Sequence, residues 1–187
     1  MSVDPSTFER MYREEEDPWS FATSAYEAAK YDRTIAALGD RRFRRGLELG
    51  CSIGVLTARL AERCDELVAV DTSPTAVARA HARLGAAADV RVATLPDELP
   101  EGPFDLVVAS EVLYYFAPDV LADLLDAVEA VLEPGGLLLA VHWRPPTRTY
   151  PLRGDDVHAI LAARTGLEPV HAERTARYRL DLLRTTA

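Results

Sequence analysis

An acidic residue beside a glycine-containing turn is the strongest chemical signal in this sequence. Glu48 precedes Gly50 by two residues, and Gly54 stands at the start of an amphipathic stretch. Glycines allow a tight turn and a close approach of the backbone, so a ligand can reach N–H groups at a helix N-terminus. Asp71 follows 21 residues after Gly50, where its carboxylate can accept hydrogen bonds from two ribose hydroxyls. The spacing predicts a site for a ligand that contains a nucleoside.

The same residues allow a purely structural interpretation, in which a tight strand-to-helix turn is followed by a helix-capping Asp. The complete order of strand, glycine turn, helix, strand and terminal Asp favours the ligand site. A dinucleotide site would need Gly-x-Gly-x-x-Gly and would bring a pyrophosphate to the helix start, where the Glu48 carboxylate would repel it. S-adenosylmethionine carries a sulfonium and an ammonium but no phosphate, so it is the cofactor that this turn favours.

The elements that must position these residues follow an alternating pattern after residue 45. Short, mostly aliphatic runs predict strands that are covered on both faces, and amphipathic stretches between them predict helices. The predicted strands span residues 46–49, 67–70, 90–92, 106–109 and 137–141. The predicted helices between them span residues 55–63, 74–84 and 118–132, the last ended by Pro134-Gly135-Gly136. This order is typical of an α/β fold with a parallel sheet.

The two ends of the chain depart from this alternation. Two helices are predicted before residue 40, over residues 5–16 and 24–38. After residue 154, a helix over residues 155–164 precedes two strand candidates, 167–171 and 177–183, with a short hairpin connection between them. We therefore expect the sheet to end in an antiparallel pair.

Composition narrows the class of protein. The 187 residues suit a single domain, and the hydrophobic fraction of 48% is sufficient for a core. A net charge of −9 disfavours nucleic acid as a partner, and no apolar run approaches the length of a membrane helix. Two cysteines and four dispersed histidines indicate neither a disulfide framework nor a metal site. We expect a cytoplasmic monomer or homodimer that acts on a small molecule without a metal.

Several blocks of the sequence resemble the ordered motifs of class I S-adenosylmethionine-dependent methyltransferases. They are residues 48–54, Asp71, residues 104–115 and residues 132–136. The resemblance implies a Rossmann-like, seven-stranded and mostly parallel sheet with an antiparallel C-terminal strand and helices on both faces. It also implies one domain, with residues 1–40 as an N-terminal helical lid and residues 41–187 as the core.

A narrower resemblance points to the NodS-like branch of that family. It rests on Asp17-Pro18-Trp19, on the block 111–115 and on the lack of a large insertion. The branch is named for a nodulation N-methyltransferase that acts on a free amine of a chitooligosaccharide. The resemblance therefore implies transfer of a methyl group to an amine, for which an amino sugar is one example.

The resemblance also implies which residues hold the cofactor. Glu48, Gly50 and Gly54 would lie against its methionine and ribose portions, and Asp71 would bind the ribose diol. The other cofactor contacts implied are Trp19, Lys30, Cys51, Ser52, Thr72, Thr94, Leu95 and Ser110. Within this set, Ser52 replaces the usual middle glycine, and Thr94 stands where many relatives carry an Asp for the adenine.

Some of these residues have equally simple structural interpretations. Trp19 either packs near the cofactor cation or packs a helix against the sheet. Lys30 either pairs with the methionine carboxylate or is a solvated helix charge. We interpret Cys51 as a small packing residue rather than a nucleophile, because no histidine neighbours it in sequence.

Candidates for the acceptor side follow the fourth and fifth predicted strands. Glu111 and Tyr114 come after the fourth strand, and His142 ends the fifth. A carboxylate or an imidazole at this edge can favour the neutral form of an amine during an in-line displacement. The structural alternatives are core packing for Tyr114 and a structural role for His142.

Three other functions stay open for the whole protein: O-methylation of a small metabolite, non-catalytic cofactor binding, and the activity of an NAD-linked oxidoreductase. The acidic Glu48 disfavours the last of these, because it would repel the NAD pyrophosphate.

Overall fold

The computed structural model describes residues 1–147 and 149–186, and its elements follow the predicted alternation. The helices are α1 (Pro5–Glu14), α2 (Ala25–Ala37), α3 (Val55–Ala61), α4 (Pro74–Leu84), α5 (Pro118–Val131) and α6 (Gly154–Ala162). The strands are β1 (Phe43–Leu49), β2 (Cys64–Asp71), β3 (Asp89–Val92), β4 (Phe104–Ser110), β5 (Leu132–Trp143), β6 (Leu167–Arg174) and β7 (Tyr178–Thr185). Short 3-10 turns cover Gly85–Ala87 and Leu113–Tyr115.

Among the described residues, these strands form one seven-stranded sheet in the order β3-β2-β1-β4-β5-β7-β6. β1 pairs in parallel with β2, β2 with β3, and β4 with β5. β7 runs antiparallel to both β5 and β6. The predicted fold, a mostly parallel sheet with an antiparallel C-terminal strand, is confirmed. No helix in the described ranges is long and apolar enough to cross a membrane.

The chain divides into two compact units. The N-terminal unit (Asp4–Thr94) contains α1 to α4 and β1 to β3. Its strands β1 and β2 are buried where they approach their carboxyl ends, as expected for strands covered on both faces. Helix α4 begins at the predicted residue, because the Ser73 hydroxyl accepts from the Ala76 N–H and Pro74 needs no N–H partner at that position.

The C-terminal unit contains residues 1–3 and the chain from Leu95 onwards. The inner face of α5 is buried through Leu121, Leu124, Leu125 and Val128, as its periodicity predicts. Most boundaries shift by one to three residues from the prediction, and the largest difference is at β5, which starts at Leu132 and not after the Pro134-Gly135-Gly136 turn. Its pairing with β4 shifts from Phe104↔Leu132 to Leu106↔Leu137, so the turn residues form an irregularity inside the strand.

Candidate cofactor and acceptor sites

The glycine turn after β1 adopts the backbone conformation that its sequence predicts. Gly50 and Gly54 have φ angles of 71° and 80°, a region that side chains disfavour. A Cβ at Gly54 would come within 3.2 Å of Ala80 on α4, so this glycine also permits close packing. Ser52, which replaces the usual middle glycine, has a φ of 53°. The turn therefore keeps its left-handed geometry without that glycine.

Two contacts hold Ser52 in this conformation. Its N–H donates to Oδ2 of Asp71 over 2.9 Å, and its hydroxyl receives a 2.5 Å hydrogen bond from the Tyr12 hydroxyl. Asp71 also accepts from the Ser73 N–H through Oδ1. Each carboxylate oxygen has more than one acceptor site, so Asp71 can orient the turn and still bind ribose hydroxyls. Burial raises the pKa of Asp71 above its ordinary value.

Glu48 is the residue whose surroundings point most directly to a cationic ligand. Its side chain is buried, and its Oε2 atom has no hydrogen-bond partner among the described residues. Burial raises the pKa of Glu48 to about 8, and the negative charge of Asp71 adds to the rise. The Thr57 hydroxyl acts in the opposite direction and lowers this pKa. Burying a carboxylate oxygen that has no partner is costly unless a ligand satisfies it. An α-ammonium such as that of S-adenosylmethionine fits this position.

The N-terminal helix α1 covers part of the same turn. Tyr12 is buried with Ile53 and Ala76, and the Trp19 ring packs edge-on against Tyr12 at 5.5 Å. Trp19 also stacks on Phe21 at 5.6 Å. Trp19 is thus joined to the turn through Tyr12, and its role as a direct cofactor contact stays a prediction.

Lys30 is a buried cation, so its interpretation as a solvated helix charge is wrong. Its side chain is 2% exposed, and its Nζ atom lies 2.8 Å from Oε2 of Glu27. The rings of Tyr26 and Tyr31 lie 5.6 Å and 5.9 Å from Nζ. An ammonium has three N–H donors, so Lys30 can pair with a second anion besides Glu27. The predicted pairing with the methionine carboxylate requires this.

The structure brings together Thr72 and Thr94, two of the implied cofactor contacts. The Thr72 and Thr94 hydroxyls lie 3.2 Å apart, although they are 22 residues apart in sequence. Cys51 is buried, and burial raises the pKa of its thiol, which stays protonated and is a poor nucleophile. Leu95 and Ser110 belong to the C-terminal unit, where Ser110 ends β4.

In the C-terminal unit, Glu111 and Tyr114 form one hydrogen-bonded group. Oε2 of Glu111 accepts from the Tyr114 hydroxyl over 2.6 Å and from the Trp143 N–H over 2.8 Å. Glu111 has a φ of 57°, which is strained for a residue with a side chain. Burial raises the pKa of Tyr114 well above its ordinary value, and the nearby Glu111 charge adds to the rise. Tyr114 therefore stays a hydrogen-bond donor.

An aromatic cluster adjoins this group. Tyr150 stacks on Tyr114 at 4.9 Å and meets Tyr115 edge-on at 4.6 Å. The Tyr115 and Tyr150 hydroxyls lie 3.4 Å apart. Tyr114 itself is buried, while Tyr115 and Tyr150 are partly exposed. A carboxylate bordered by aromatic rings is a combination that suits a protonated amine.

His142 is fully buried, and both of its ring nitrogens have partners. Nε2 lies 3.2 Å from the Leu113 N–H, and Nδ1 lies 3.2 Å from Nε2 of His158. His158 in turn lies 2.8 Å from Oδ2 of Asp181. This arrangement agrees with a structural role for His142, while its role as a base stays a prediction.

Sequence reasoning missed several residues that the structure places at these sites. They are Tyr12, which holds Ser52; Trp143, whose amide holds Glu111; and the buried partners of His142, namely His158 and Asp181. The histidines were visible as dispersed residues, but their spacing gave no sign of contact. These pairs are separated by 16 to 40 residues and become neighbours only through packing.

Comparison with known proteins agrees with this geometry. The sequence model of the family described as "Nodulation protein S (NodS)" matches residues 7–139. The Nodulation protein S of Sinorhizobium fredii is 33% identical over 103 residues, which cover 54% of this chain and 48% of that protein. The chain thus spans about half the length of this curated relative.

Solved structures extend the match over nearly the whole chain. The N-methyltransferase NodS from Bradyrhizobium japonicum in complex with S-adenosyl-l-homocysteine has a TM-score of 0.87 and 25% identity, covering 97% of this chain and 98% of that chain. A putative methyltransferase from Pseudomonas syringae is 43% identical with a TM-score of 0.77, covering 86% and 99% respectively. Because the family model covers well over half of the sequence, this chain belongs to the NodS family, as its motifs predicted.

Proposed function

We propose that this protein is an S-adenosylmethionine-dependent methyltransferase that methylates the nitrogen of a small-molecule amine. The observation that carries the proposal is the buried Glu48 carboxylate, whose Oε2 has no partner among the described residues and which precedes the glycine turn that Asp71 holds. A cation with a linked sugar diol satisfies both carboxylates, and S-adenosylmethionine contains both groups. The NodS structure in complex with S-adenosyl-l-homocysteine supports the same ligand.

Each unit has a part in the proposed reaction. In the N-terminal unit, Glu48 would hold the cofactor ammonium, Lys30 its carboxylate and Asp71 its ribose, with Thr72 and Thr94 beside the adenine. When bound, S-adenosylmethionine would supply the methyl group on a sulfonium. In the C-terminal unit, Glu111 would attract the amine and take the proton that it must lose, while Tyr114 orients the Glu111 carboxylate.

An amine is favoured over a hydroxyl acceptor by the chemistry around Glu111. A carboxylate beside the rings of Tyr114, Tyr115 and Tyr150 stabilises a positively charged group, which a hydroxyl substrate does not offer. The N-methyltransferase activity named for the NodS of B. japonicum supports this choice. An amino sugar is the example we favour, in a cytoplasmic reaction carried out by a monomer or homodimer.

The direct test is methyl transfer from S-adenosylmethionine labelled in the methyl group. Purified protein is incubated with matched acceptors, such as glucosamine oligomers and their N-acetylated forms, and the products are identified by mass spectrometry. We expect a methylated amine and no product from the acetylated forms. Tight binding of S-adenosylhomocysteine without transfer to any amine, hydroxyl or thiol would show instead a non-catalytic cofactor-binding protein.

A further inference from the structure

A chain of polar side chains crosses the core of the C-terminal unit. His142 on β5, His158 on α6 and Asp181 on β7 are all buried, with exposed fractions of 0%, 0% and 5%. Burying such groups costs free energy unless each is hydrogen bonded. Most of the buried residues around them are apolar, so three adjoining polar side chains are not needed for packing. Their presence requires an explanation that the cofactor site does not supply.

The two ends of this chain determine its hydrogen-bond direction. The Leu113 N–H is a donor, so Nε2 of His142 must accept, and neutral His142 carries its proton on Nδ1. That proton points to Nε2 of His158, which must also accept. His158 therefore carries its proton on Nδ1 and donates it to Asp181, a carboxylate that accepts. One tautomer of each imidazole satisfies the whole chain.

Asp181 is held as an acceptor by its own surroundings. The Arg179 guanidinium lies 2.9 Å from Oδ2 of Asp181. Although burial acts to raise the pKa of Asp181, the hydrogen bond from His158 and the Arg179 charge lower it below its ordinary value. The far end of the chain is thus an ionised carboxylate, which fixes the direction of the hydrogen bonds.

At the other end of this row of polar side chains, His142 contacts the segment that carries Glu111 and Tyr114. Consecutive residues of β5 bind this segment: Val141 accepts from the Glu111 N–H, His142 from the Leu113 N–H, and the Trp143 N–H donates to the Glu111 carboxylate. The His142 ring also packs edge-on against Tyr114 at 5.2 Å. The His142 side chain thus makes its hydrogen bond between those made by the backbone groups of Val141 and Trp143. The segment that it binds contains the strained backbone of Glu111.

We propose that His142, His158 and Asp181 form a positioning relay, in which Asp181 sets the His142 tautomer that holds the Leu113 amide and so places Glu111 and Tyr114 for the amine. These are positioning residues, because they act through the 111–115 segment and not on the reacting atoms. The link to catalysis rests on the proposed function, whereas the link to the segment rests on the contacts alone.

The test compares Asp181→Leu with Asp181→Asn. Leu offers no acceptor, so Nδ1–H of His158 is left without its partner and the carboxylate no longer favours this tautomer. The His158 tautomer protonated on Nε2 then becomes populated, and it favours a His142 protonated on Nε2, which opposes the Leu113 N–H. The amide oxygen of an asparagine side chain can still accept from His158, so Asp181→Asn is expected to keep the original tautomers and to behave like the wild-type protein.

Long-range proton–nitrogen NMR reports the tautomers, and hydrogen exchange reports the Leu113 amide. For Asp181→Leu we expect a mixture of tautomers in place of the single wild-type set, Leu113 exchange about tenfold faster, and kcat about tenfold lower, with the Kd for S-adenosylhomocysteine changed less than about twofold. Thr185→Val is the matched control, because Thr185 is buried on the same strand and donates to the Glu133 carbonyl. It is expected to lower stability without moving the tautomers, Leu113 exchange or kcat.

Specific results would overturn the relay. They are a wild-type His142 protonated on Nε2, or an Asp181→Leu protein whose Leu113 exchange and kcat match those of Thr185→Val. If Asp181→Leu does not fold, His158→Phe removes the link and should also speed Leu113 exchange about tenfold. If the wild-type protein transfers no methyl group, the proposed function fails, while the tautomers and Leu113 exchange still decide whether the relay holds the segment.

Discussion

At the scale of single residues, the N-terminal unit contains a buried carboxyl group, Glu48, whose Oε2 atom has no hydrogen-bond partner among the described residues. Burial raises the pKa of Glu48 to about 8, so its ionised form is the one that destabilises the free protein. The cationic ligand that we propose would offset that penalty. Binding residues often carry such a cost, because a site preorganised for a charge must exist before the charge arrives.

The pH dependence of binding follows from this residue. Below about pH 8 the free protein carries a proton on Glu48, which it must release to pair with an ammonium, so the affinity for S-adenosylhomocysteine should rise with pH up to that value. The rise should approach tenfold per pH unit and level off above about pH 8. Isothermal titration calorimetry in buffers of different ionisation enthalpy measures both the affinity and the released proton.

Glu48→Gln is expected to flatten this pH profile and to weaken S-adenosylhomocysteine binding by about 10- to 100-fold, the worth of a charge-assisted hydrogen bond. Without ligand, the same variant should be more stable than the wild-type protein above pH 4.5. The wild-type protein loses stability between the ordinary Glu pKa and about 8, because the native state there binds the extra proton. Glu62→Gln, an exposed substitution, is the control.

Glu111 is expected to act on turnover and not on cofactor binding. Glu111→Gln keeps an oxygen for the Tyr114 hydroxyl and the Trp143 N–H but removes the negative charge. We expect kcat to fall about 100-fold, a typical contribution of acid–base catalysis, with the Kd for S-adenosylhomocysteine nearly unchanged. Asp123→Asn on the exposed side of α5 is the control. Equal losses in turnover and cofactor affinity would place Glu111 in the cofactor site instead.

At the scale of elements, the Glu9 carboxylate links helix α1 to the start of helix α4. Glu9 accepts from the Ser73 hydroxyl, the Thr75 N–H and the Thr75 hydroxyl. The hydrogen bond from Ser73 is the main cause that lowers the pKa of Glu9 to about 2. A carboxylate at a helix N-terminus is also stabilised by the helix dipole. The Tyr12 contact with Ser52 depends on this helix, so Glu9 supports the cofactor turn indirectly.

Glu9→Gln should therefore destabilise the protein by about 1 kcal/mol, since the carboxylate is partly exposed and its hydrogen bonds are weakened by solvent. The lowered pKa means that the contribution of Glu9 is present above pH 4.5 and is lost as the pH falls toward 2. Urea unfolding at pH 7 and pH 3 measures the difference, which should shrink at the lower pH. Glu14→Gln, an exposed position on the same helix, should show no such effect.

At the scale of the whole molecule, ligand binding should appear as thermal stabilisation that discriminates between nucleotide classes. At about 100 times its Kd, a ligand that binds the native state adds about 2.7 kcal/mol, which raises the Tm by about 5–10 °C for a chain of this size. We expect this shift with S-adenosylhomocysteine and none with NAD at the same concentration. A shift with NAD alone would contradict the assignment of the turn, because the turn lacks the Gly-x-Gly-x-x-Gly pattern of a dinucleotide site.

The overall charge belongs to the same scale. A net charge of −9 at pH 7 makes the average surface repel polyanions, which agrees with a small-molecule acceptor. This chain spans about half the length of the Nodulation protein S of S. fredii, so the acceptor of that longer protein is not assigned to it. The Glu111 group and its tyrosines are the local chemistry on which acceptor choice depends.

Sequence alone determined the features that neighbouring residues encode. The alternation of apolar runs and amphipathic stretches predicts the mostly parallel sheet, and helix α4 begins at the predicted residue because Ser73 and Pro74 act locally. The glycine turn, Glu48 and Asp71 were recognised together because they occupy one strand–helix–strand unit. Even the irregular start of β5 lies where Pro134-Gly135-Gly136 interrupts the pattern.

Tertiary structure decided which distant polar groups meet. Sequence spacing does not predict the contact of Tyr12 with Ser52, or the contacts that join His142, His158 and Asp181. These residues lie on different elements. Their hydrogen bonds form only when packing excludes water and leaves each donor one available acceptor. The same packing leaves Oε2 of Glu48 without a hydrogen-bond partner among the described residues, which is the observation on which the proposed cation site rests.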